Sequence, residues 1–243
     1  PTEFNQAYSS KHLPELAGFK RLAQTLAAEG KVAESENRID DAIQSYLDAA
    51  RLNQKLHGGL LIDSLVGLAT ETIGVIPLRK LADAMNRDQR RKVIETLAEF
   101  YSSRESLEEI MLREKNYFRF AHGIRDQLLF LAQSIFTRNA ANQKFERKFK
   151  YNRTRLGLFL VDLAAQNYQS EKGHPPKTLQ ELVPEYLSFL PKDDFSGQDF
   201  IYRPQTNGYL LYGIGPDGKD DGGTPFTKKG NDSSGDMLND SHY

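Results

Sequence analysis

Apolar residues recur at intervals of three and four along most of this chain, the spacing that lines up one face of a helix. Leu16, Phe19, Leu22, Ala23 and Leu26 form the first such stripe. Pro14 lies near the expected first helical position, where its missing N–H costs nothing, and Gly30 reads as a stop. A second helix is expected over residues 39–52, with Ala42, Ile43, Tyr46, Leu47 and Ala50 inward and Asp40 and Asp41 at the positive end of its dipole. A third spans about 60–76 and ends at Pro77. A fourth carries Val93, Ile94, Leu97 and Phe100. The fifth starts after Ser102, with Glu105 closing a capping box and Leu107, Ile110 and Met111 inward. Two more helices are expected over about 124–141 and 144–170, the latter burying Leu156, Phe159, Leu160, Leu163 and Tyr168.

The pattern changes at Gly173 and the pair Pro175-Pro176, which end helical periodicity. A short helix over 178–186 follows, then two strand-like runs, 200–203 and 209–214. Asn207-Gly208 between them is a hairpin signal. The tail from Gly215 onward is rich in Gly, Asp, Ser and Asn and has no hydrophobic period. The expected fold class is therefore mostly α with a small α+β part. Residues 1–143 form a helical bundle or short helical array. Residues 144–243 form a long helix on a small antiparallel sheet, followed by the acidic loop.

The 243 residues suffice for two ordinary domains with real cores. A net charge of −1 gives no overall pull toward nucleic acid or anionic lipid. The absence of cysteine excludes disulfides, thiolate zinc sites and a cysteine nucleophile. The most apolar stretch, 59–81, is broken by Asp63, Glu71 and Pro77, so no membrane span is expected within the chain. The chain opens on Pro1 and not Met and reads as a mature or trimmed fragment, compatible with a signal or membrane tether removed ahead of it.

The tail gathers Asp217, Asp220, Asp221, Asp232, Asp236 and Asp240 among glycines, an oxygen-rich composition suited to calcium. It is not an EF-hand: with Gly222 at the sixth position, Lys219 and Lys228 would fall where oxygen ligands are required. The ordered series Leu182-Val-Pro-Glu-Tyr-Leu187, Leu190-Pro-Lys-Asp193, Phe200-Ile-Tyr202, Gly208-Tyr-Leu-Leu-Tyr212, Ile214-Gly-Pro-Asp-Gly218 and Gly222-Gly223 resembles the C-terminal region of the major pseudopilin of type II secretion systems. The resemblance covers about residues 150–238 and implies a helix packed on a small sheet, closed by a structural calcium loop. The ligands it implies are the carbonyl of Ile214, the side chain of Asp217, and Asp232, Ser233 and Asp236. Asp220, Asp221 and Asp240 are expected in solvent. A helical domain stands where the family has its apolar assembly helix, which argues against fibre formation.

Ala42, Tyr46 and Ala49, with Gly30 twelve residues before Ala42, resemble one tetratricopeptide unit, a fold that implies peptide or protein binding. The run Arg138, Lys144, Arg147, Lys148, Lys150, Arg153 and Arg155 is strongly basic, with Phe145, Phe149 and Tyr151 interleaved. The simpler reading is a helix with an aromatic inner face, and no nucleic-acid partner is expected. The five histidines form no metal-ligand pattern, and no nucleophile-elbow, P-loop or dinucleotide motif is present. Glu108-Glu109, or Asp63 with Glu71 eight residues apart on one helix face, are candidate acid–base pairs, but acidic pairs on helices are mostly solvated. The expectation is a non-enzymatic interaction protein, exported or tethered on the extracytoplasmic side of a bacterial envelope, with a protein partner there. The alternatives are a hydrolase-like enzyme with its site in the helical domain, or a peptide-binding adaptor.

Overall fold

The computed structural model describes residues 6–121, 124–205, 208–225, 227–229 and 232–238, with side chains placed for all but 6–10, 118–142, 228–229 and 232–234. Among the described residues six α-helices come first: α1 (Gln6–Ser35), α2 (Ile39–Arg51), α3 (Leu61–Leu81), α4 (Arg87–Ser102), α5 (Leu107–Ala121) and α6 (Ile124–Lys172). Five short strands follow: β1 (Ile201–Gln205), β2 (Gly208–Gly213), β3 (Thr227–Lys229), β4 (Asp232–Ser234) and β5 (Met237–Leu238). The protein is mostly helical with a small three-stranded antiparallel sheet, as the periodicity implies.

Several boundaries differ from the sequence reading. Pro14 and Gly30 both lie inside α1. Gly30 is there to admit a neighbour: a Cβ on it would meet the Tyr46 ring at 2.5 Å. Leu22, expected inward, is exposed. Pro77 does not end α3, because burial of Leu78 and Leu81 beyond it offsets the lost hydrogen bond. The expected capping box at Ser102 and Glu105 sits one turn later. The Ser106 amide donates to Glu109, and the Glu109 amide donates to the Ser106 hydroxyl. A second box, Asn86 with Gln89, starts α4. The two last helices are one, α6. Only a 3-10 turn, Leu179–Leu182, forms where a helix over 178–186 is expected, and a cis Val183-Pro184 bond follows it.

The chain divides into two compact units, Pro1–Gly74 with Arg104–Phe149 and Val75–Ser103 with Lys150–Tyr243. The later break between these units, at 149/150, lies six residues past 143/144, and α4 groups with the C-terminal residues. The reason is a set of long-range bonds invisible to a linear reading. Arg90, buried on α4, donates to Asn167 and Ser170 of α6, and the Tyr101 hydroxyl donates to the Lys192 carbonyl.

In the first unit Tyr46, Ile43 and Leu47 are fully buried. Tyr46 lies against Gly30 on one side, and a Cβ on Gly74 would meet the Tyr46 carbonyl oxygen at 2.3 Å. Glycine on α1 and α3 therefore lets both approach α2 closely. A separate apolar cluster joins Leu68, Ile110, Phe145 and Phe149. Two aromatics of the basic run, Phe145 and Phe149, thus face inward, and Tyr151 is half-buried.

In the second unit α6 packs on the sheet. A Cβ on Gly157 would touch the Phe200 ring at 3.0 Å, and the Tyr209 hydroxyl donates to Asp162 at 2.7 Å. Strand order is β1-β2-β5, with Tyr202 opposite Leu211 and Gly213 opposite Met237. β3 and β4 form a separate two-stranded ribbon.

The stretch Leu61–Ala84 is long and apolar enough to cross a membrane, with mean hydropathy 1.5, and half of it is buried inside the protein. Its buried charged residues have partners: Asp63 with His12, Glu71 with Arg104 and Asn53, and Arg79 with the Arg155 carbonyl.

Candidate metal centre

β2 ends at Gly213, and the chain enters the acidic loop through a tight turn in which the Gly218 amide donates to the Gly215 carbonyl at 3.0 Å. Gly218 has φ +74, a left-handed conformation that L side chains rarely adopt. The loop returns at Gly235, whose carbonyl oxygen would lie 1.9 Å from a Cβ on Gly215. Two glycine backbones are therefore in direct contact, and the two halves of the loop meet there.

Carboxylates crowd this meeting point. Asp217 accepts from the Gly235 amide at 3.3 Å, and Asp221 accepts from the same amide at 3.1 Å. Asp236 follows in the chain and is 0% exposed. Its Oδ2 accepts from the Gly223 amide at 2.7 Å, and its own amide donates to the Thr224 carbonyl at 2.7 Å. Among the described residues its Oδ1, also buried, has no hydrogen-bond partner.

The loop is anchored from below by a different carboxylate, Asp193, which is 1% exposed. It accepts from the Thr154 hydroxyl on α6, the Phe195 amide, the Ser196 hydroxyl and the Ile214 amide. Asp193 thus ties α6 to the end of β2 and fixes the entry of the acidic loop.

Of the residues the resemblance implies, Asp217 accepts from the Gly235 amide, while Asp236, the next residue in the chain, accepts from the Gly223 amide. Ile214 lies at the loop entry, held through its amide. Asp232 and Ser233 lie in β4 opposite Lys229 and Lys228, and their side chains fall outside the described residues. Asp220 and Asp221 are exposed but not free. Asp220 accepts from the Tyr212 hydroxyl at 3.0 Å and the Gly222 amide at 2.9 Å. These donors hold the Asp220 carboxyl below its ordinary range, the Gly222 amide contributing most. Asp240 lies outside the described residues. Among those residues no three or more His, Asp or Glu side chains are placed as a ready metal cage.

Elsewhere, Asp63 and Glu71 do not face one another as an acid–base pair. Asp63 bonds His12 at 2.5 Å and caps α3 through the Leu60 amide, whereas Glu71 pairs with Arg104. His57 lies in a turn, and His174 bonds the Pro175 carbonyl. His122 and His242 lie outside the described residues. An open groove of about 560 Å³ in the second unit is lined by Tyr101, Arg153, Phe189, Pro191 and Asp194.

No protein-family model, curated protein or solved structure matches this chain.

Proposed function

We propose that the C-terminal loop takes up a calcium ion as a structural element, in a protein that serves as a non-enzymatic interaction component of the bacterial envelope or secretion machinery. The observation that carries the calcium reading is Asp236. A fully buried carboxylate with one oxygen unsatisfied costs several kcal/mol unless something compensates it (roughly 1–3 kcal/mol even for a neutral group). A divalent cation drawn between it and Asp217 supplies that compensation. Calcium accepts six to eight oxygens in flexible geometry, which suits a glycine-rich loop with one backbone carbonyl and several carboxylates. The ligands proposed are the Ile214 carbonyl, Asp217, Asp232, Ser233 and Asp236.

The metal's role is thermodynamic. The loop has little apolar surface to offset its ordering entropy, so cation binding supplies folding free energy there. A weak site of this kind works where calcium is near millimolar, which favours an exported or membrane-tethered protein. A second reading, an adaptor that holds a peptide on its helical unit, draws on the close stacking of α1, α2 and α3 through Gly30, Tyr46 and Gly74.

Calorimetric titration of metal-stripped protein with calcium, and separately with magnesium, tests the proposal. It predicts one calcium site with Kd at or below about 10⁻³ M and weaker magnesium binding. No calcium binding up to ten millimolar-scale concentrations would reject it.

A further inference from the structure

We infer that the trough between α4 and the 184–188 segment docks an extended peptide segment of a partner protein, one that alternates apolar residues with lysine or arginine. The inference rests on the interaction reading above and deepens it by naming a surface and the chemistry of its partner. It does not depend on the calcium loop.

The trough lies wholly within the second unit. Two adjoining hollows, of about 250 and 400 Å³, share Arg91, Ile94, Glu185 and Tyr186 and so form one elongated depression. One wall is a single face of α4, reaching from Arg87 to Ser102. The other is the 184–188 segment together with the end of α6. At 1.5 Å per residue the α4 wall runs about 22 Å. An extended chain rises about 3.3 Å per residue, so roughly six or seven residues lie along it. The length suits a peptide better than a compact small molecule.

The trough is apolar at its floor and acidic at its rim. Ile94 on α4 and Leu187 on the opposite wall are 5% and 3% exposed, and Ala98 beside them is half-buried. Both arginines in the trough have carboxylates of their own. Arg87 bonds Glu171 at 3.4 Å, and Arg91 pairs with Glu95, one helical turn on, at 4.0 Å. Lys172 bonds Glu171 as well. Glu99 and Glu185 are left over. Both are exposed, they line opposite walls, and among the described residues neither has an ion-pair partner.

These two unmatched charges decide the partner's chemistry. They repel phosphate, which argues against nucleic acid or anionic lipid as the occupant, and they attract ammonium and guanidinium groups. Successive side chains of an extended segment point to opposite faces. One row of the peptide meets Ile94, Ala98 and Leu187, and the other reaches the rim at Glu99 and Glu185. Burial of the apolar row supplies affinity, while the charge pairs fix the register and speed the encounter.

The test pans a phage-displayed random-peptide library against the full-length chain. One enriched peptide is then synthesised, and its affinity is measured by fluorescence anisotropy. The variants are Glu99→Lys, Glu185→Lys and, as a control for net charge, Glu29→Lys, which is exposed on α1 outside the trough. Glu99→Gln and Glu185→Gln, which keep the shape and remove only the charge, replace the reversals if circular dichroism shows that a reversal disturbs the fold. The expected result is enrichment of peptides in which lysine or arginine alternates with apolar residues. Affinity should fall roughly tenfold or more in each trough reversal and stay within about twofold in Glu29→Lys. Peptides that bind wild type and both trough variants equally overturn this inference and leave the interaction reading standing, with its surface elsewhere. Equal loss in Glu29→Lys overturns it too, because it shows a general field effect. Enrichment of acidic peptides contradicts the charge argument and also overturns it. A wild-type chain that retains no peptide overturns both the trough and the interaction reading.

Discussion

Asp193 is a hub of the C-terminal unit, buried and bonded on several sides. Four donors converge on it from α6, its own loop and the start of the acidic loop. Asp193→Ala would strand two hydroxyls and two amides, and the expected cost is about 3–5 kcal/mol in chemical denaturation. A loss below about 1 kcal/mol would show that water replaces the carboxylate. The glycines make a sharper residue-scale contrast. Gly30→Ala drives a methyl into the Tyr46 ring and should cost about 1–3 kcal/mol. Gly18, on the same helix, has nothing within 4 Å of an added Cβ, so Gly18→Ala should stabilise by about 0.5–1 kcal/mol. Equal effects would mean that helix propensity, not the Tyr46 contact, governs both. In the sequence Gly30 reads equally well as a helix stop or as a contact point, since a missing side chain serves either purpose. Only the position of Tyr46 decides between them. Asp193 was visible as part of a family-like run, but its four partners lie up to 39 residues away in sequence and could not be read from spacing.

At the scale of elements, among the described residues the three-and-four spacing marks each of α1 to α5 and reads α6 as two helices, because amphipathic faces must be written locally. It erred where tertiary burial overrides local punctuation. Pro77 is followed by fully buried Leu78, so α3 continues past it. The 178–186 segment forms only a 3-10 turn, its Leu179 and Leu182 buried while the chain bends at Pro184. The hairpin strands β1 and β2 were legible from aromatic alternation on both sides of Asn207-Gly208. The contact between α6 and this sheet carries an electrostatic signature. Burial, together with Asp162, pushes the Tyr209 hydroxyl well above its ordinary range, and burial pushes Tyr202 up to about 12. An unfolded tyrosine ionises near 10. Because both folded values are raised, this contribution is fully present below pH 10 and is lost as pH rises through the folded values. Stability measured by denaturant should therefore fall between about pH 10 and 12, and less steeply in Tyr209→Phe. A flat profile over that range would contradict buried phenols at the helix–sheet contact. At neutral pH, Tyr209→Phe should cost about 1–2 kcal/mol by leaving Asp162 Oδ1 without that donor.

For the whole molecule, composition set the class correctly: a polar-surfaced, mostly helical chain long enough for two cores. The partition into units was not legible, because each unit is assembled from two separated stretches, and buried polar bonds such as Arg90 to Asn167 define it. Of the candidate site, the clustered aspartates and glycines are legible in the sequence, whereas the Gly235 amide donating to Asp217 and the Gly223 amide donating to buried Asp236 are contacts that spacing does not reveal. Nor can two adjacent identical residues reveal that Asp220 accepts from Tyr212 while Asp221 accepts from Gly235. The account's central claim is that a cation completes this loop, and a thermal melt tests it most directly. Metal-stripped wild type, Asp217→Ala and Asp236→Ala are melted in chelator and in excess calcium. For calcium at a hundredfold excess over Kd, linkage gives about 2.7 kcal/mol, which for a chain of this size is a rise of roughly 5–10 °C in the midpoint. The account predicts that rise for wild type and its loss in both variants. A wild-type midpoint that is the same in chelator and in calcium would contradict it.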